Sequence, residues 1–75
     1  MKEEDTNMRY KNFVIDITPL SLRDSSEWTT HFVIFRDRGD KMEEVAKVDM
    51  GNRCLSEEEA IRSGIIEAKH IVDKN

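Results

Sequence analysis

The sequence predicts an α+β domain, a three-stranded antiparallel β-meander with one C-terminal α-helix packed on one face (β-β-β-α), and three observations carry that expectation. Residues 28–36, Trp-Thr-Thr-His-Phe-Val-Ile-Phe-Arg, are dense in aromatic and β-branched side chains and contain neither Gly nor Pro, as a central strand requires. Upstream, Phe13, Ile15 and Ile17 alternate with Val14, Asp16 and Thr18, the period-two signature of a half-buried strand. Downstream, Ser56-Glu57-Glu58-Glu59 opens a segment in which Ile61, Gly64, Ile65, Ala68, Ile71 and Val72 recur at three- and four-residue spacing, which marks an amphipathic helix.

Taken in order, residues 1–8 are charged or polar apart from two Met, with Lys2, Glu3, Glu4 and Asp5 in succession, and are expected to form a disordered tail. A single domain is expected over residues 9–75. Its first strand spans residues 10–18 and is ended by Pro19, which lacks a backbone donor. Residues 20–27 are a polar connection, expected to be mobile, in which Arg23 and Asp24 are available to a ligand.

The central strand puts Trp28, Thr30, Phe32 and Ile34 on one face and Thr29, His31, Val33 and Phe35 on the other. Residues 37–41 turn the chain, with Gly39 free to take a positive φ, and the third strand covers residues 42–50. A three-residue turn at 39–41 sets Phe35 opposite Val45, Ile34 opposite Ala46, Val33 opposite Lys47, Phe32 opposite Val48 and His31 opposite Asp49. This register collects Phe13, Ile15, Ile17, Phe32 and Ile34 on the inner face.

Gly51-Asn52-Arg53 then breaks the strand, and Ser56 with Glu59 three residues later forms a capping box. Lys69, His70 and Lys74 complement the negative end of the helix dipole. Gly64 costs about 1 kcal/mol against Ala in a helix. That cost points to a close approach to a sheet residue such as Trp28 or Phe32.

Composition narrows the chemistry. Twelve Lys and Arg against sixteen Asp and Glu give a net charge of -4, which repels a phosphate backbone at long range and disfavours non-specific nucleic-acid binding. Cys54 is the only cysteine, so no disulfide can form within the chain, and a core thiol is its expected role. No apolar run approaches the roughly 20 residues that span a bilayer, no membrane partner is expected, and the cytoplasm is the expected location. His31 and His70 have no second ligand at metal-binding spacing, and no phosphate loop or nucleophile elbow is present, so neither a cofactor nor an enzymatic activity is expected.

The succession of a Trp28-led strand, a turn at Gly39, a strand and Leu-Ser-Glu-Glu-Glu-Ala-Ile at 55–61, with Ala68 later in the helix, resembles small bacterial proteins of unknown function. Those proteins are built as a three-stranded sheet plus a C-terminal helix, and the likeness covers about residues 10–73. The pattern is also similar to the AP2-like N-terminal domain of phage and transposon integrases, a likeness that implies a sheet entering a DNA groove. Those sheets are rich in Arg and Lys, whereas the outer face here carries Val14, Asp16, His31, Val33, Phe35, Val45, Lys47 and Asp49.

One helix covers one face of a sheet, so the apolar residues of the other face want a partner. The expected function is a non-enzymatic interaction module that self-associates as a homodimer, or binds a protein, through Val14, His31, Val33, Phe35, Val45 and Lys47. The alternative is a nucleic-acid-binding domain that uses the sheet or the 20–27 loop, with Lys11, Arg23, Arg36, Arg38 and Lys41 as contacts.

Overall fold

The computed structural model describes residues 6–74. Four strands, β1 (Thr6–Tyr10), β2 (Phe13–Ser21), β3 (Trp28–Asp37) and β4 (Met42–Asp49), precede one helix, α1 (Glu57–Asp73). The sheet is antiparallel in the order β1-β2-β3-β4. The α+β class and the C-terminal helix are as expected, but the sheet has four strands rather than three. The extra strand lies partly in the segment expected to be a tail: residues 6–8 belong to β1, while residues 1–5 lie outside the described residues. Tyr10 closes β1 instead of opening the next strand, and the Lys11–Asn12 connection turns with Lys11 at φ 58.

Pro19 does not end β2, which continues to Ser21. Opposite it, Thr30 sends both backbone groups the other way, its N–H to Asn52 Oδ1 at 2.9 Å and its carbonyl to the Met50 N–H at 3.0 Å. Pro19 therefore occupies a position where the β2–β3 ladder asks for no donor. The connection to β3 is consequently shorter than expected. It closes on itself, with Leu22 N–H bonded to the Glu27 carbonyl at 2.9 Å and Glu27 N–H to Ser25 Oγ at 3.0 Å.

Between β3 and β4 the expected register holds for His31–Asp49, Phe32–Val48, Val33–Lys47 and Ile34–Ala46. It shifts at Phe35, which faces Glu44 rather than Val45, because a bulge inserts one extra residue into β4. Gly39 takes φ 90 in the β3–β4 turn, as its freedom from a Cβ allows.

The inner face matches the expected one. Ile15, Ile17, Phe32 and Ile34 are buried with Ala68 and Val72 of α1, and Met8, Tyr10, Phe13, Ala46 and Val48 pack around them. The helix meets the sheet through the small residues Ala60, Gly64 and Ala68, one turn apart. A Cβ on Gly64 would lie 2.7 Å from Thr30 Cγ2 and 3.2 Å from Ile17 Cγ2. The close approach is thus to Thr30 and Ile17, not to Trp28 or Phe32.

The buried Thr30 hydroxyl donates to the Ala60 carbonyl at 2.7 Å and accepts from Asn52 Nδ2 at 3.2 Å, so its burial is satisfied on both sides. After β4 the chain keeps following β3, through the Asn52 side chain and then a Trp28–Cys54 bridge with two 2.8 Å backbone bonds. Ser56 caps α1 by accepting from the Glu59 N–H at 3.1 Å, and Glu59 Oε1 reaches back to the Leu55 N–H at 3.0 Å.

Candidate functional site

Because α1 lies against β2 and β3 from one side only, no layer among the described residues covers the opposite face of the sheet. Strand alternation places Asn7 and Arg9 of β1, Val14 and Asp16 of β2, and His31, Val33 and Phe35 of β3 on this open face. This face carries a shallow groove lined by Asn7, Met8, Arg9, Val14, Phe35 and Met42. The floor follows from register: Arg9, Val14 and Phe35 stand in one row across three strands. Met42 faces Asp37 two residues further along β3.

The rim of the groove is ionic. Arg9 Nη1 reaches across β2 to Asp37 Oδ2 at 2.8 Å. The Asp37 carboxyl is held below its ordinary range first by the Gly39 backbone N–H, 2.9 Å from Oδ1, and then by the Arg9 guanidinium. This pair folds the one charged side chain of residues 6–10 down over the face instead of letting it point away from the strand.

Of the six residues expected to form a partner surface, Val14 and Phe35 line the groove and Val33 follows on the same face next to Phe35. His31 stands opposite Asp49, and Lys47 opposite Val33. Val45 sits in the bulge, where it is 41% exposed. Sequence reasoning missed Asn7, Met8, Arg9 and Met42 as groove residues. Met42 was legible as a strand residue but not by face, and Arg9 acquires its position only through β1.

Four of the five basic residues of the alternative share one end of the sheet. Arg23 lies in the loop between β2 and β3, at the end of the sheet opposite to Lys11, Arg36, Arg38 and Lys41. Two of the five are engaged in ion pairs, Lys11 with Asp73 at 2.7 Å and Arg38 with Glu43 at 3.0 Å, and Arg36 lies over the Phe13 ring at 5.5 Å. Lys11 belongs to a second cluster in which Asp73 at the end of α1 also accepts from the Tyr10 hydroxyl at 3.0 Å. The Lys11 ammonium, followed by the Tyr10 hydroxyl, keeps the Asp73 carboxyl below its ordinary range, and Asp73 in turn raises both partners.

Comparison of the chain with protein-family models, with curated proteins and with solved structures finds no match. Among the described residues no group of three His, Cys, Asp or Glu side chains converges as a metal-ligand set, and no helix is long and apolar enough to cross a membrane. Cys54 is buried, with Asn52 Nδ2 3.3 Å from its sulfur.

Proposed function

We propose that the chain is a non-enzymatic interaction module whose open sheet face packs against the same face of a second copy. The observation that supports this reading most directly is the row of Val14 and Phe35 with Met42 beside it, an apolar floor on a face that α1 leaves uncovered. A second copy suits it because the face carries both signs of charge, Arg9 and Lys47 against Asp16 and Asp49, so a two-fold arrangement can set opposite charges against each other. A stable interface takes about 800 Å² from each partner. The molecule is flat, 41 × 28 × 16 Å along its principal axes, and its broad side offers area of that order.

Phe35 is the anchor, since aromatic side chains supply the most contact area. Phe35→Asp places a carboxylate at the centre of the floor while leaving the inner-face core of Ile15, Ile17, Phe32 and Ile34 untouched. Sedimentation equilibrium is expected to show a self-associating wild-type chain and a folded Phe35→Asp variant that associates at least tenfold more weakly. A variant that associates as the wild type does would sink this reading.

A further inference from the structure

The two edges of the sheet are built differently. Open edges invite pairing with another chain, and proteins blunt them with bulges and charged side chains. The β4 edge is blunted in both ways, by the bulge beside Phe35 and by Glu43, Glu44, Lys47 and Asp49. The β1 edge has neither a bulge nor Pro, and its one charge, Arg9, is folded over the open face onto Asp37.

The free backbone groups of β1 follow from its ladder. Tyr10 and Phe13 close a two-residue hairpin, so they form a hydrogen-bonded pair, and alternation makes Met8–Ile15 another. The position of Pro19 fits the same parity, with odd-numbered β2 residues turned away from β3. Asn7 and Arg9 therefore direct their N–H and C=O groups outward, one on either side of Met8. Among the described residues no strand pairs with that edge.

We propose that β1 pairs antiparallel with β1 of a second copy across a two-fold axis at Met8, joining two sheets into one of eight strands. In this register Asn7 of each copy faces Arg9 of the other and each pair exchanges two backbone bonds. The next register along the edge would set Arg9 against Arg9, two like charges directly opposed, which is unfavourable. Charge thus disfavours the Arg9-centred pairing and permits the Met8-centred one. Met8, half-buried at the margin of the core, meets its own copy and extends the apolar layer beneath both helices. This interface runs along the sheet edge and adjoins the face-to-face packing above, with Asn7, Met8 and Arg9 bordering both. With both in place, two eight-stranded sheets stack as a four-layer assembly of four chains.

Asn7→Pro tests it, because the substitution removes an outward N–H and leaves the β1–β2 bonds of Met8 and Tyr10 intact. Sedimentation equilibrium on the wild type, Asn7→Pro, Phe35→Asp and the double variant is expected to give four chains, two, two and one. A folded Asn7→Pro variant with the wild-type mass overturns the edge pairing and spares the face reading. A Phe35→Asp variant with the wild-type mass does the reverse, and a wild type that stays monomeric at millimolar concentration overturns both. Should Asn7→Pro fail to fold, amide hydrogen exchange on the wild type decides. The Asn7 and Arg9 amides are expected to slow at least tenfold between dilute and concentrated samples, and concentration-independent exchange overturns the proposal.

Discussion

Gly64→Ala is expected to destabilise the protein although it improves the helix. Ala is favoured over Gly in a helix interior by about 1 kcal/mol, and at an open site that gain would be realised. At residue 64 the new Cβ would lie 2.7 Å from Thr30 Cγ2 and 3.2 Å from Ile17 Cγ2, both well inside van der Waals contact and both on buried side chains. Over-packing of this kind costs about 1–3 kcal/mol. The net expectation is a loss of about 1 kcal/mol, or roughly 4–8 °C in Tm for a domain of this size.

Thr30→Ser provides the control. It removes the clashing methyl while keeping the hydroxyl that donates to the Ala60 carbonyl. Urea denaturation of the two single variants and the double variant forms a cycle in which the double loses about 1 kcal/mol less than the sum of the singles. A Gly64→Ala protein more stable than the wild type, or two additive losses, would show that α1 does not sit this close to Thr30.

Two further outcomes are expected. Ser56→Ala removes the acceptor of the Glu59 N–H and should cost about 0.5–2 kcal/mol, read as a lower urea midpoint; an unchanged midpoint would place the helix start elsewhere. Asp73 and Asp37 have folded-state pKa values below their ordinary 3.8, so on acidification the unfolded chain takes up these protons first. Their contribution is complete above that value and drains away as pH falls through the folded-state values. Asp73→Asn should therefore flatten the decline in urea midpoint below about pH 4, and a decline as steep as the wild type's would discount the Lys11–Asp73–Tyr10 cluster.

Where the sequence was readable, one side chain followed from its neighbours. Phe13, Ile15 and Ile17 declared their face by strict alternation, and the Ser56 cap stood immediately before the apolar helical stripe. The bulge left a trace as well: Val45 and Ala46 are adjacent apolar residues, which a regular alternating strand does not produce. β1 was hidden because only Met8 and Tyr10 alternate in it, and because Lys11 is not a residue that announces a left-handed turn. Without β1, the groove lost Arg9 and half of its rim. The continuation of β2 past Pro19 was hidden for a different reason, since whether a missing donor matters depends on which way the opposing Thr30 points.

The Thr30 hydroxyl, held between the Ala60 carbonyl and the Asn52 amide, bears on the order in which the molecule assembles. Its three hairpins close over connections of two, six and four residues, so the sheet can grow by successive short-range steps. The bond from Thr30 to Ala60 spans 30 residues and forms only when α1 reaches β3. Helix docking is then expected to come late in folding and early in unfolding. Changes at Thr30, Gly64 or Asn52 should show themselves mainly as a shorter native lifetime, with the folding rate left nearly as it was.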